Sequence, residues 1–308
     1  MTSTDSATQP SPPKQTAPGD HHARLSPLRR PSGGFAMLAL DQREALRAML
    51  AEHQDSPVTD GQVTEFKLAA ARALTRYASG VLLDRQFVWD RAVTEAAVAP
   101  GCGLIAAADR FEAAHGDLVG EVTIDKDVDL SRVRTQGGAA AKLLVLHRPD
   151  GDPATRIGMV REFVAGCDRA GLASIIEPVS RPPLDGREWD WDAGVLAAAT
   201  ELGSLGADLY KAEVPLRGQG EPDEIRRRCG RLTEMIDSPW VVLSSGVPHQ
   251  VFPRAVALAC AAGASGFLAG RAVWAACVGA PDLDAALKGP AVDRLTRLCD
   301  VVDEAVGG

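Results

Sequence analysis

Residues 167–176 (CDRAGLASII) pass from the end of a helix, through one glycine, into a short apolar run. Residues 201–210 (ELGSLGADLY) and 260–268 (CAAGASGFL) repeat this order. Glycine supplies the left-handed backbone that ends a helix. An apolar run of roughly four to eight residues is typical of a strand buried on both faces of a parallel sheet. These segments therefore predict a chain in which helices and parallel strands alternate.

Eight apolar runs fit this alternation. The helix before the second run is the clearest, because Val63, Phe66, Ala70, Leu74 and Tyr77 recur at helical spacing. Eight strands with helices between them predict an α/β fold, the closed (β/α)8 TIM barrel. A doubly wound open sheet is the alternative, which is disfavoured because no GxGxxG motif follows the first strand. The runs cover residues 35–40, 80–83, 103–108, 139–146, 172–176, 207–212, 240–243 and 264–268.

The composition is that of a globular protein. Of 308 residues, 45% are hydrophobic and 24% are charged, which is enough to build a sizeable core. Length alone allows one or two domains, although α/β barrels often reach about 250 residues as one domain. The net charge is −8 and the basic residues are dispersed, which argues against a nucleic-acid-binding surface. No run of about 18 apolar residues exists, so we expect no membrane-spanning helix.

The first 30 residues are rich in Pro, Ser and Thr and lack the apolar core of a signal peptide. We predict a disordered extension over residues 1–30 and one barrel domain over residues 31–308. Six cysteines are scattered without CxxC spacing or clustered histidines, unlike a disulfide framework or a zinc site. The sequence therefore predicts a cytoplasmic protein with no metal site.

Active sites of such barrels lie at the carboxyl ends of the strands, so polar residues that end the apolar runs are the candidates. Lys211 lies within the run ADLYKAEVP, where burying a lysine costs free energy unless it is paired or functional. It shares a strand face with Leu209 and Glu213, and either face could point into the barrel. A structural ion pair with a carboxylate is the alternative for an isolated lysine.

Two further ionisable residues lie on the preceding strands. Lys142 occurs in AAAKLLVL and Glu177 in SIIEPV. A neighbouring cation and partial burial both favour a neutral amine, the form that attacks a ketone carbonyl, and a glutamate can transfer the protons. Taken alone, Lys142 could be structural, and Glu177, which precedes Pro178, could merely end a strand. Together with Lys211 they predict amine-based carbonyl chemistry.

Anion-binding groups follow the last two apolar runs, in LSSGV and LAGRAVW. Barrels commonly hold phosphate at this position with hydroxyls, glycine amides and a guanidinium. The alternative is an ordinary Ser/Gly turn with Arg271 in a surface ion pair. At the first strand, Asp41, Gln42 and Arg43 could instead cap the helix that begins at EALRAML. The candidate anion ligands are Ser244, Ser245, Gly246, Gly270 and Arg271.

At these residues the sequence resembles the class I aldolase family that includes tagatose-1,6-bisphosphate aldolase and 6-deoxy-6-sulfofructose-1-phosphate aldolase. The resemblance covers nearly everything after residue 31 and is closest to the sulfofructose-phosphate branch. It is carried by seven ordered blocks, SGGFAMLALDQREALR, YASGVLLD, KLLVLHR, SIIEPV, ADLYKAEVP, PWVVLSSGV and GASGFLAGRAVW. One departure is His147, where that branch has a tryptophan.

The resemblance implies a lyase that cleaves 6-deoxy-6-sulfofructose 1-phosphate into dihydroxyacetone phosphate and sulfolactaldehyde in sulfoglycolysis. It implies a small-molecule sugar phosphate or sulfonate as substrate, no metal or other cofactor, and a homo-oligomer. Lys211 matches the Schiff-base lysine, Glu177 the acid/base glutamate, Lys142 the assisting lysine and Asp41 an aspartate that orients hydroxyls. The anion-binding loops match the five residues after the last two runs, and Gln42 and Arg43 are candidates for the substrate's other anionic end.

Lys67, in TEFKLAAA, also matches a lysine that recurs in the family, although we expect a solvated position on its helix. Three other functions stay open at this point. The same chemistry could act on tagatose 1,6-bisphosphate or another ketose bisphosphate. The chain could be a regulatory barrel that binds sugar phosphates without catalysis, although such a barrel does not need buried ionisable groups. A metal-dependent aldolase is the third, which the lack of a histidine pair at the strand ends disfavours.

Overall fold

The computed structural model describes residues 23–307. Within them, eight parallel strands close into a barrel and two further strands form a separate antiparallel hairpin. The strands are β1 (Phe35–Leu40), β2 (Gly80–Asp84), β3 (Gly103–Ala107), β4 (Asp109–Ala114), β5 (Asp117–Ile124), β6 (Gly138–His147), β7 (Ala173–Ser180), β8 (Leu209–Ala212), β9 (Trp240–Val242) and β10 (Gly266–Ala269). The order around the barrel is β1-β10-β9-β8-β7-β6-β3-β2, which confirms the predicted (β/α)8 fold.

Helices cover the outside of the barrel, and their signals are those expected from the sequence. Gly171 has φ 69° and ends the helix before β7, where the Leu172 amide donates back to the Cys167 carbonyl at 3.0 Å. The helices are α1 (Glu44–Ala51), α2 (Asp60–Leu74), α3 (Trp89–Thr94), α4 (Leu130–Thr135), α5 (Pro153–Ala170), α6 (Trp191–Leu202), α7 (Pro222–Met235), α8 (Phe252–Cys260), α9 (Arg271–Trp274), α10 (Leu283–Ala286) and α11 (Val292–Val306). None of the helices in this part of the chain is long and apolar enough to cross a membrane.

Side-chain alternation along the strands divides the core in two. One cluster fills the barrel and contains Ala39, Ala140, Ile175 and Leu209, whereas Tyr210 packs in the second cluster, between the strands and the helices. Successive side chains of a strand point to opposite faces, so the residue two positions after an interior residue also points inward. This places four candidate residues at the carboxyl end of the interior, namely Asp41, Lys142, Glu177 and Lys211.

The amino-terminal end of the barrel is closed by the segment before β1. Leu25 and Leu28 are fully buried and belong to the interior cluster. A Cβ at Gly103 would lie 2.6 Å from Leu28 Cδ2, so this close packing requires glycine. The predicted domain boundary at residue 30 is therefore wrong for residues 23–30, which belong to the fold. The rest of the predicted extension lies outside the described residues.

The hairpin of β4 and β5 was not predicted. It follows β3 directly and turns at His115 and Gly116, which have φ 56° and 82°. Positive φ at both central residues is typical of the tight turns that join antiparallel strands. The hairpin returns the chain to β6 through α4, and its inner face forms one wall above the carboxyl end of the barrel.

Candidate active site

Lys142 lies at the centre of a buried charged cluster. Its Nζ is 2.7 Å from Asp41 Oδ2, 2.7 Å from Asp109 Oδ2 and 3.0 Å from Glu177 Oε2. Burial alone would lower the pKa of this lysine, but the three carboxylates outweigh burial and hold its pKa well above the ordinary value. Lys142 is therefore an ammonium group, and it is not the neutral amine of the site.

Lys211 is the second lysine of the cluster and lies one strand further, beyond Glu177. Its Nζ is 2.6 Å from Glu177 Oε1, and its side chain is 4% exposed. The two carboxylate oxygens of Glu177 thus contact two different lysines. Lys211 therefore forms the ion pair with a carboxylate that was considered as its alternative role, and the carboxylate partner, Glu177, lines a cavity that opens to solvent.

The cluster contains equal numbers of acidic and basic groups, and this balance affects its chemistry. Arg43 Nη2 is 2.9 Å from Asp109 Oδ1, so the cluster contains three carboxylates and three basic groups. An unbalanced buried charge is costly. Transfer of a proton from Lys211 to Glu177 produces a neutral amine and leaves the net charge unchanged. The arrangement can therefore generate a nucleophilic amine without charging the interior. The six groups are Asp41, Asp109 and Glu177 against Arg43, Lys142 and Lys211.

Asp41 belongs to this cluster and does not cap the first helix. The N-cap residue of α1 is Arg43, and no side chain donates or accepts a capping hydrogen bond there. Burial would raise the pKa of Asp41, but the positive charges of Lys142 and Lys211 bring its pKa below the ordinary value. Asp41 is therefore ionised and can only accept hydrogen bonds.

A cavity of about 620 Å³ opens directly above the cluster. Its floor includes Asp41 and Glu177, and its walls include Gln42, Arg43, the hairpin, Ser245 and Arg271. Gln42 Oε1 and Arg43 Nε are buried beside the cavity and find no hydrogen-bond partner among residues 23–307. Buried polar atoms are normally paired, so a ligand in this cavity would complete both groups.

The predicted anion ligands divide into cavity-lining and supporting residues. Arg271 Nη2 donates to Ser245 Oγ at 2.6 Å, and both residues line the cavity. Ser244 lies beneath them, buried, and Ser244 Oγ accepts from the Ala272 amide at 3.5 Å. Gly246 has φ 73° in the following turn. Gly270 permits close packing, because a Cβ there would lie 2.3 Å from the Ala39 carbonyl oxygen.

Arg181 also lines the cavity and was not predicted from the sequence. The strand that contains Glu177 continues to Ser180, four residues beyond the predicted end, and Arg181 follows it. Burial lowers the pKa of Arg271, the negative charges of Glu177 and Asp41 oppose this, and the positive charge of Arg181 adds to the lowering. Neither forms an ion pair with a carboxylate in the described part of the chain. Two such arginines in the lining of one cavity favour an anionic ligand.

Two other residues singled out from the sequence lie away from the cavity. Lys67 was expected to be solvated, and this prediction is wrong: it is fully buried, forms an ion pair with Asp84, and lies 5.1 Å from the ring centre of Phe87. His147 is buried on the outer face of β6, where its Nε2 is 3.5 Å from Glu201 Oε2.

Glu213, two residues after Lys211, is a buried glutamate that contacts the end of β7. It is 4% exposed, and its Oε2 accepts from the Ser180 amide at 2.7 Å. Burial raises the pKa of Glu213 to about 7. Because the folded-state pKa is raised, this glutamate stabilises the fold fully below about pH 4.5, and that contribution is lost as the pH rises through about 7.

Glu213→Gln is therefore expected to remove this loss of stability. Between about pH 5 and about pH 8.5 the wild type should lose about 2 to 3 kcal/mol of unfolding free energy that the variant retains. Urea unfolding at both pH values measures the difference. Glu52→Gln, at an exposed position, is the matched control. If the difference in unfolding free energy between Glu213→Gln and wild type did not change with pH, the raised pKa of Glu213 would be contradicted.

A family model of DeoC/LacD family aldolases matches residues 35–276, which include every residue of the cluster and of the cavity described above. The chain belongs to the DeoC/LacD aldolase family. This aldolase is 28% identical over 282 residues to a tagatose 1,6-diphosphate aldolase of Listeria monocytogenes serotype 4a, covering 82% of this chain and 80% of the relative. It is 26% identical over 273 residues to tagatose 1,6-diphosphate aldolase 2 of Streptococcus mutans, covering 80% and 82%.

Solved structures resemble the aldolase in fold. An archaeal fructose 1,6-bisphosphate aldolase superposes with a TM-score of 0.62 at 16% identity, covering 92% of this chain and 99% of that one. A fructose-bisphosphate aldolase from Plasmodium falciparum gives a TM-score of 0.67 at 13% identity, covering 96% and 97%. Among residues 23–307 of this aldolase, no group of three or more His, Cys, Asp or Glu side chains is arranged to hold a metal ion.

Proposed function

We propose that this aldolase cleaves 6-deoxy-6-sulfofructose 1-phosphate into dihydroxyacetone phosphate and sulfolactaldehyde, through a Schiff base on Lys211 and without a metal ion. The observation that carries the proposal is the contact of Glu177 with both lysines at the floor of an open cavity. A homo-oligomer and a cytoplasmic location stay predictions.

The first half of the reaction follows from the Lys211 and Glu177 pair. Lys211 transfers a proton to Glu177, and its neutral Nζ attacks the C2 carbonyl of the open-chain ketose to give a carbinolamine. Glu177 returns the proton to the departing hydroxyl, so water leaves and the iminium forms. Lys142 stays protonated throughout and keeps its positive charge 3.0 Å from Glu177 Oε2.

The second half breaks the C3–C4 bond. A carboxylate removes the proton of the C4 hydroxyl, the bond electrons move into the iminium, and the aldehyde product leaves. Asp41 is ionised and suited to accept hydrogen bonds from substrate hydroxyls during this step. Protonation of the enamine at C3 and hydrolysis of the iminium by water then release dihydroxyacetone phosphate and restore Lys211.

The charge of the walls supports one phosphate and one sulfonate. Arg271 and Arg181 form no ion pair with a carboxylate in the described region, which suits a phosphate that approaches two negative charges. Gln42 and Arg43 follow β1, the strand next to β10, and there the charge of Arg43 is already shared with Asp109 whereas Gln42 is neutral. This part of the cavity offers less positive charge and suits a sulfonate, which carries one negative charge.

A comparison of substrates tests this proposal. We expect kcat/KM for 6-deoxy-6-sulfofructose 1-phosphate to exceed that for tagatose 1,6-bisphosphate by about tenfold or more, a difference of about 1.4 kcal/mol. Activity should persist in EDTA. The second candidate is the tagatose bisphosphate itself, which the names of the relatives favour. A higher kcat/KM for the bisphosphate would select that candidate, and tight binding of both sugars without cleavage would indicate a regulatory barrel.

A further inference from the structure

Asp109, the first residue of the hairpin, is completely buried and binds two cations at once. Its Oδ2 accepts from Lys142 Nζ at 2.7 Å and from the Leu144 amide at 3.0 Å. Its Oδ1 accepts from Arg43 Nη2 at 2.9 Å. One carboxylate therefore connects the charged cluster at the floor of the cavity with the wall on which Arg43 lies.

Arg43 is held on a second side by the same hairpin. Its guanidinium carbon lies 4.3 Å from the ring centre of Phe111, and Lys142 Nζ lies 5.8 Å from that ring. The arginine side chain is more than nine-tenths buried, and its Nε faces no partner in the described chain. Arg43 thus donates to Asp109 through Nη2, and its Nε can donate to a ligand in the cavity.

We infer that Asp109 is a positioning residue that transmits occupancy of the second anion site at Arg43 to the lysines that carry out the reaction. This inference rests on the proposed function, because it concerns a ketose phosphate with a second anionic group. An anion that binds Arg43 weakens the attraction between Arg43 and Asp109. Asp109 then interacts more strongly with Lys142. The attraction between Lys142 and Glu177 weakens as a result, and Glu177 accepts the proton of Lys211 more readily.

The charged groups that face Lys142 come from several elements, so the effect of Asp109 has to be separated from theirs. Asp41 follows β1, Glu177 lies on β7 and Lys211 lies on β8, and all three act on Lys142 or Glu177 whether or not a second anion is bound. Among the described residues, Asp109 is the only carboxylate that forms an ion pair with both Lys142 and Arg43. The inference therefore concerns the gain in rate caused by the second anion and not the rate itself.

The test uses two substrates that differ in the second anion alone, 6-deoxyfructose 1-phosphate and 6-deoxy-6-sulfofructose 1-phosphate. With the full-length wild type we expect the sulfonate to raise kcat as well as to lower KM. In Asp109→Asn the gain in kcat should shrink by about tenfold, because the amide carries no charge to redistribute. Arg43→Gln should lose the same gain, and the double variant should lose no more than either single variant.

Asp125→Asn is the matched control. Asp125 follows the hairpin and pairs with Arg85 and Arg110, away from Lys142, so its substitution should leave the gain in kcat within about twofold of wild type. Equal losses of kcat on both substrates in Asp109→Asn would indicate a purely structural role and would overturn the inference. If Asp109→Asn does not fold, Arg43→Gln decides: loss of the kcat gain supports the coupling, and an effect confined to KM overturns it.

The outcome also separates this inference from the proposed function. A wild type that cleaves neither ketose phosphate would remove the proposed function. A wild type that cleaves both, with a gain in kcat that neither Asp109→Asn nor Arg43→Gln changes, would remove the coupling and leave the proposed function intact.

Discussion

Lys211→Met is expected to lower the rate of aldol cleavage by on the order of 10⁴-fold or more, about 5 kcal/mol in the activation barrier. The physical reason is that residues 23–307 place no substitute neutral amine at the cavity. Lys142, the neighbouring lysine, is surrounded by three carboxylates that keep it protonated, and a protonated amine cannot attack a carbonyl. Steady-state kinetics with the ketose phosphate measure the loss.

Borohydride trapping identifies the amine independently of the rate. Reduction in the presence of dihydroxyacetone phosphate should leave a mass adduct on the peptide that contains Lys211, and Lys211→Met should carry none. The chain has six lysines, so peptide mapping can assign every one of them. Lys288→Met is the matched control, because Lys288 is 65% exposed and pairs only with Asp284 in the described chain. It should retain both the adduct and the activity.

The variant should fold, which keeps the test interpretable. Removal of the Lys211 ammonium leaves three carboxylates and two basic groups in the cluster, but each carboxylate still contacts Lys142. An adduct that moves to Lys142, or full activity of Lys211→Met, would refute the assignment of the nucleophile.

Much of the site follows from strand alternation alone. In a barrel with eight buried strands, the polar residue that ends each strand lies near the same mouth, so Asp41, Lys142, Glu177 and Lys211 could be grouped before any coordinates were known. The sequence could not choose which face of β8 points inward. That choice depends on the register between neighbours, seen here as Lys211 paired with Val241 of β9.

Arg181 and the hairpin were not predicted, for different physical reasons. Arg181 was overlooked because Pro178 suggested a strand end, although Pro178 continues in register with Val145 of the neighbouring strand. The hairpin was overlooked because its strands alternate weakly and are rich in charge. Its role therefore depends on contacts distant in sequence, such as Asp109 with Lys142 and Arg43.

The burial of Lys67 was not predicted, although its spacing along the helix indicated it. It lies four residues after Val63 and three before Ala70, on the same helical face as those buried residues. A lysine on an apolar helical face requires a buried partner, and Asp84 at the end of β2 is that partner. Identifying it from sequence would have required knowing which strand end faces the helix.

Arg271→Ala is expected to raise KM for the ketose phosphate strongly, with a loss in kcat/KM of roughly 30- to 5,000-fold, because an anion buried against a lost guanidinium costs roughly 2 to 5 kcal/mol. Arg181 still lines the cavity and can retain part of the attraction, which places an upper limit on the loss. Kinetics with the substrate, together with inhibition by inorganic phosphate, measure the effect at this subsite.

Arg254→Ala is the control for a general change of surface charge, because Arg254 is exposed and donates to the Gly220 carbonyl outside the cavity. The loss in Arg271→Ala should fall on KM and on the inhibition constant of phosphate together, since both report the same contact. Ser245 would then lose the guanidinium that now donates to its hydroxyl, so Ser245→Ala should add little to Arg271→Ala. Unchanged KM and phosphate inhibition in Arg271→Ala would place the phosphate elsewhere, and Arg181 would be the next residue to replace.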